Sequence, residues 1–242
     1  MFTQRNQGIF DVSGQQPESL ALSKTFLSSV FSWMFMGLLA TAGMAWIFAD
    51  NAYLMGLLYS ETGMTALGWV VMLSPIGFVL LMSFGFQKLS SGTLMLLFIA
   101  YSVIMGMSLS FIFMAYELGS IASTFVIASG MFGAMAILGY TTKTDLSKFG
   151  SIMIMGLVGI IIASVVNMFL GSSTMDYIIS FLGVLIFTGL TAYDVQKLKR
   201  IGSQVGTTSE TSRKLIVMGA LTLYLDFINL FLFLLRFLGN RR

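Results

Sequence analysis

Seven stretches of this chain are each long and apolar enough to cross a bilayer. They run approximately Thr25–Ala49, Ala66–Phe86, Thr93–Tyr116, Ser120–Tyr140, Gly150–Leu170, Tyr177–Gln196 and Leu215–Leu238. A span needs roughly 20 mostly apolar residues, and in lipid each backbone group must find its partner inside its own segment, which makes such runs helices. Only 10% of the 242 residues are charged, against about 25% in soluble domains. The expected architecture is therefore an all-α integral membrane protein of seven transmembrane helices. Residues 1–23 form a polar N-terminal segment, 24–239 the helical membrane domain and 240–242 a short basic tail. The first run is too long for a signal-peptide core and lacks the flanking cleavage pattern, so it reads as a retained helix.

The charges fall between the spans, and their sign sets the topology. With the N-terminus inside, ten of the 13 basic residues face the cytoplasm: Arg5, Lys24, Lys88, Lys143, Lys148, Lys197, Lys199, Arg200, Arg213 and Lys214. The opposite loops hold Asp50, Glu61, Glu117 and Asp176 and no Lys or Arg, which is the positive-inside pattern. Arg236, Arg241 and Arg242 run against it. A re-entrant last helix would return them to the cytoplasmic side; the length of Leu215–Leu238 favours a full seventh crossing. A longer polar loop is expected over Lys197–Lys214, and the tightest turn at Glu117–Gly119. Pro75 should kink the second helix. The small-residue pairs Ser129/Gly133, Gly130/Ala134 and Gly156/Gly159 suit close helix packing.

There is no Cys and no His. Thiolate metal sites, disulfides, serine triads and imidazole acid–base chemistry are excluded, and any pH sensing must be done by carboxylates. No phosphate-binding loop, dinucleotide glycine pattern or zinc motif occurs, so neither a resident cofactor nor enzyme activity is expected. The net charge of +3 is a topology signal rather than a nucleic-acid footprint.

The chemistry concentrates in two acids. Asp226, in Leu223-Tyr-Leu-Asp-Phe-Ile-Asn229, lies well inside the seventh span. An Asp at a helix centre costs about 2.5–3.5 kcal/mol on insertion scales and faces the bundle interior or a water-filled cavity. Thr222 and Asn229 sit at i−4 and i+3 and share its face. Asp194, in Gly189-Leu-Thr-Ala-Tyr-Asp-Val-Gln-Lys197, falls in the last turn of the sixth span. A bland reading pairs it with Lys197 or Lys199. Thr191, Thr222 and Asn229 are the pore-lining candidates. If the seventh helix enters lipid at Leu215, Asp226 lies about 16 Å deep at 1.5 Å per residue. Pairing with Asp194 then requires a later helix entry or a vestibule.

Two carboxyl groups at hydrogen-bonding distance cannot easily both ionise, so the pair shares a proton. Protonated, it ties two helices; ionised, repulsion parts them. Carboxylates also suit a transient hard cation such as calcium. Paired intramembrane Asp residues also occur in aspartyl proteases of the membrane. Tyr193-Asp194 matches their Tyr-Asp motif weakly, but Asp226 is preceded by Tyr-Leu and not by Gly-Leu-Gly.

Gly189-Leu-Thr-Ala-Tyr-Asp-Val-Gln-Lys-Leu-Lys199, Gly219-Ala-Leu-Thr-Leu-Tyr-Leu-Asp-Phe-Ile-Asn-Leu-Phe231 and Gly139-Tyr-Thr-Thr-Lys-Thr-Asp-Leu146 resemble segments of the Bax inhibitor-one family, also called the transmembrane Bax inhibitor motif family. The resemblance runs from about Thr25 to Gly239. It implies seven helices with the seventh central, and a pH-sensitive calcium leak in which the acids matching Asp194 and Asp226 form the sensing pair. It also implies a bacterial member in the inner membrane, and kinship with cell-death suppressors and with regulators of membrane-protein quality control. A non-conducting protein that binds a membrane protease or another membrane partner is thus the alternative. The family's calcium-leak members carry an Arg near the inner end of the second helix. This chain has Phe86-Gln87-Lys88 there, which makes Lys88 the candidate for tuning the pair.

Overall fold

A computed structural model describes residues 15–60, 63–205 and 207–242. Arg5, most of the expected 1–23 segment and Glu61 lie outside the described residues. Nine helices are described: α1 (Gln15–Asp50), α2 (Ala52–Leu58), α3 (Ala66–Gly85), α4 (Ser91–Leu109), α5 (Ile112–Ala115), α6 (Leu118–Thr141), α7 (Ser147–Leu170), α8 (Ser173–Val205) and α9 (Glu210–Leu238). A two-residue hairpin, Tyr59–Ser60 with Gly63–Met64, lies between α2 and α3. Seven helical segments among these residues are long and apolar enough to cross a membrane, α4 and α5 together forming the third. The protein is an all-α multi-span membrane protein.

Short side chains at the boundaries explain why the helices start where they do. The side chains of Thr65, Ser90 and Ser209 accept the amide protons of Gly68, Thr93 and Ser212 and so cap α3, α4 and α9, satisfying donors that have no partner inside a helix. Within the spans, Thr188, Thr191, Thr222 and Ser164 donate to the carbonyl four residues back. Hydroxyls are thereby satisfied without leaving their own helix. Pro75 sits inside α3 and removes the amide that would bond the Val71 carbonyl. The Ser74 hydroxyl donates to that carbonyl at 3.0 Å and replaces the lost partner.

Two helices carry the core. Two thirds of the apolar window of α8 and of α9 is buried, against 11% for α7. The helix α9 packs on α8, α1, α6 and α4, and α8 packs on α9, α1, α7 and α6. The seventh span is central, as the family resemblance implies, but the sixth shares the centre with it. Of the small-residue pairs, Gly156 meets Ile186, whereas Gly130, Gly133 and Gly159 have open space around them. The closest approach lies elsewhere, where a side chain on Gly139 would strike the Ala192 carbonyl.

The polar loop expected over Lys197–Lys214 is mostly helix: α8 continues to Val205 and α9 starts at Glu210. Polar side chains outside the apolar run extend both helices beyond the hydrocarbon, where hydropathy carries no signal. Likewise α1 already begins at Gln15, inside the polar N-terminal segment. Gly119, expected in a turn, belongs to α6.

One end of the bundle is tied by α9's start. The Glu210 carboxylate accepts from the Ser91 amide at 2.6 Å and from its hydroxyl at 2.8 Å. At the other end, the Glu117 amide donates to the Asn240 carbonyl, the Asn240 amide to the Ser120 hydroxyl and the Arg242 amide to the Ala115 carbonyl. Arg236 and Arg241 both approach Asp176, at 3.4 and 3.5 Å. The last helix therefore crosses completely rather than re-entering, and its arginines neutralise the acid at the start of α8.

Candidate functional site

The helices α8 and α9 run antiparallel, and two close contacts set their register. Gly183 takes the ring of Phe233, and Gly219 takes the Leu198 side chain; a Cβ at either glycine would collide. One contact lies on each side of the acids, and this register brings Asp194 and Asp226 level. Their carboxyl groups hydrogen-bond to each other. Asp226 is 5% exposed and Asp194 9%. A bond between two carboxyl groups needs a proton on one of them, so the geometry is that of a shared-proton pair.

The depth mismatch expected from sequence disappears because the sixth helix is longer than its apolar run. Asp194 is not in the last turn but mid-helix, with three turns of α8 beyond it, ending at Val205. That places it at Asp226's level without a late entry of α9.

A cavity of about 570 Å³ opens beside the pair. Its back wall is α8, and its sides are α7 and α9. Thr222 and Asn229 line it, as expected from their shared face with Asp226, and so do Tyr193, Asp194 and Lys197. Thr191 does not: it is fully buried and donates to the Phe187 carbonyl, because the face of α8 that lines the cavity is that of Leu190, Tyr193 and Lys197, and Thr191 lies about 100° round the helix from Leu190. The amide nitrogen of Asn229 donates to the Leu225 carbonyl and the Thr222 hydroxyl to the Met218 carbonyl. Both are held by their own helix, so Asp226 is the member of the stripe that reaches across to α8.

The cation near the pair is Lys197, whose charge acts on Asp194. Lys199 instead donates to the Tyr140 carbonyl at 2.7 Å and lies over that ring. Lys88 is exposed in the turn after α3, and the charges acting on the two acids come from each other and from Lys197. The structure therefore puts Lys197, and not Lys88, in the position to tune the pair. Lys88 belongs to an end loop, whereas Lys197 is one turn from Asp194 on the same helix.

Among the described residues no three His, Cys, Asp or Glu side chains form a metal-binding group. Two carboxyl groups fall far short of the six to eight oxygens calcium takes.

Two features were invisible in the sequence. One is the wall contributed by α7, from Ile154 to Val165, because an apolar lipid-facing helix carries no mark of which neighbour it leaves uncovered. The other is a buried polar junction on the far side of α9. There the Thr41 hydroxyl donates to the Ser102 carbonyl at 2.8 Å and bonds the Tyr224 hydroxyl at 2.6 Å. The only sequence signal was the presence of Thr41, Ser102 and Tyr224 in apolar runs, where each needs a partner.

The family model described as "Inhibitor of apoptosis-promoting Bax1" matches residues 23–242. The inner membrane protein YbhL of Escherichia coli K12 is 48% identical over 90% of this chain and 93% of its own length. An uncharacterized protein of Borreliella burgdorferi is 46% identical over 94% of this chain and 97% of its own. Protein RP147 of Rickettsia prowazekii, also uncharacterized, is 43% identical over 90% and 91%. A family match over residues 23–242, which take in both acid-bearing helices, together with relatives 43–48% identical over at least 90% of the chain, has one meaning: the chain belongs to the Bax inhibitor-one family.

Proposed function

We propose that this protein is a pH-sensitive calcium leak of a bacterial inner membrane, gated by the proton shared between Asp194 and Asp226. The membrane assignment draws on the name of the Escherichia coli relative, and the basic end is read as cytoplasmic by the positive-inside rule. The observation that carries the reading is the hydrogen bond between two buried carboxyl groups on the two central helices, at the edge of a cavity lined by Thr222 and Asn229. With the proton in place, the bond ties α8 to α9. As pH rises and the proton leaves, two like charges face each other in a buried setting and repel. The helices part there, and a cation finds two ionised carboxylates along its way. Flux should therefore rise with pH.

The test is calcium flux from proteoliposomes at a series of pH values. Wild type should titrate. Asp226→Asn and Asp194→Asn should each lose the pH response, and the double variant should be no worse than either, because the pair acts as a unit. Single variants that titrate like wild type would remove the latch. No flux at any pH from folded protein would leave the non-conducting partner of a membrane protease or other membrane protein as the better reading.

A further inference from the structure

The cavity beside the acid pair is built for more than a small ion. Its volume, about 570 Å³, falls in the range of small-molecule pockets. Most of its wall is apolar: Leu157, Ile161 and Val165 from α7, Leu190 from α8, Leu225 and Phe233 from α9. The helix α7 packs along α8, and the cavity separates it from α9. Val165 and Ile161 are also half exposed on the outside of the bundle, where the surroundings of a membrane helix are acyl chains. The cleft thus faces lipid sideways.

Its floor is polar. Asp226 lines the cleft, and its buried Oδ2 has no hydrogen-bond partner beyond the bond its carboxyl group shares with Asp194. The charged groups along the cleft are Asp194, Lys197 and Asp226, and α7 contributes none. Lys197 acts on Asp194 and is exposed. The shared-proton pair keeps one negative charge, and that charge is what an incoming cationic head meets at the floor of the cleft.

We infer that the α7/α9 cleft is a lipid-side binding site for amphiphilic amines, with the ammonium group on Asp226 and the hydrocarbon body along α7. The apolar wall matches the body, and a single ammonium matches the single negative charge of the pair. A hydrated calcium ion would leave the apolar wall unused. The proposal rests on the acid pair described above but does not need the pair to conduct calcium.

The test uses the full chain in phosphatidylcholine vesicles and a decylamine carrying a diazirine on its tail, with labelled residues mapped by mass spectrometry after illumination. Labels should fall on the cleft faces of α7 and α9. Decylamine should compete and decanol should not. Asp226→Asn should lower cleft labelling about tenfold or more, the loss of a hydrogen bond to a charged group. Val165→Trp, which fills the mouth from the lipid-exposed side without touching the acids, should abolish it while melting like wild type, so that a poorly folded Asp226→Asn does not decide the matter. Equal cleft labelling by the same probe with a hydroxyl head would overturn the inference, since the cleft would then be filled by any chain. Unchanged labelling of folded Asp226→Asn, or of Val165→Trp, would overturn it as well. Calcium flux recorded from the same vesicles separates the two readings: amine labelling without flux sinks the channel and keeps this site, and flux without selective labelling does the reverse.

Discussion

The two faces of α9 meet the same bundle in opposite ways. Asp226 and Tyr224 are two residues apart and so about 200° apart around the helix. Tyr224 is fully buried, its hydroxyl bonds Thr41, and Thr41 in turn bonds the Ser102 carbonyl. Rings close in edge-on from Phe98 and Tyr101. Asp226 faces a cleft and bonds one acid. The hydroxyl junction holds α1, α4 and α9 together with bonds that no physiological change of pH breaks. The carboxyl junction holds α8 to α9 with a bond that exists only while a proton is present. On the proposed mechanism the helix has a fixed side and a releasable side, and the difference is the chemistry of one functional group.

Several substitutions can break or sharpen this contrast. The largest effect should come from Tyr224→Ala. It removes a fully buried ring and should lower stability by about 3–5 kcal/mol, as for other large aromatic truncations. Thermal unfolding in detergent measures this, and the folded remainder should keep the wild-type pH dependence of flux. A changed pH midpoint would show that the two faces are not separate. Next, Lys197→Gln removes the cation beside Asp194, and loss of a nearby positive charge favours proton binding by carboxylates. The flux midpoint should move to higher pH, whereas Lys88→Gln should leave it in place. The opposite outcome would restore Lys88 as the tuning residue.

Smaller changes test the fixed side more finely. Tyr224→Phe keeps the ring and loses one hydroxyl bond, which should cost about 1 kcal/mol with no effect on flux, since Thr41 keeps its bond to Ser102. The smallest effect should come from the exposed acid Asp145. The Arg200 guanidinium, then Ser147, hold its carboxyl below the usual carboxylate range. A lowered value means the contribution to stability is present above the ordinary pKa of about 3.9 and is lost as pH falls below it. Asp145→Asn should therefore lower the melting temperature slightly at neutral pH and bring little further change on acidification. The flux midpoint should not respond, because the acid is at the solvated end of α7.

Much of this arrangement was legible in the chain. Asp226 stood out because a charged group in an apolar run must face the interior, and Thr222 and Asn229 followed from helical spacing. Asp194 was legible as an acid but not as a mid-helix one. Hydropathy stops at the edge of the hydrocarbon, while α8 continues as a polar helix to Val205. Thr191 was misplaced because spacing along one helix gives a direction but not a neighbour. Lys197 and Lys88 could not be ranked from spacing, since both lie at the same end of the bundle and only the packing of α8 against α7 and α9 puts one of them in the cleft.

The sequence by itself determined the solvent, the number of crossings, the basic and acidic ends and the helix faces on which acids sit, because each follows from local chemistry against lipid and water. Tertiary structure alone decided which faces meet. The bond between Asp194 and Asp226, the junction of Tyr224 with Thr41 and Ser102, and the uncovered side of α7 depend on the register of α8 on α9. That register is set where Gly183 receives Phe233 and Gly219 receives Leu198, contacts between residues about 20 to 50 positions apart. In a bundle whose outer surface is as apolar as its core, hydrophobicity cannot choose a partner for a helix. Close packing at such glycines does.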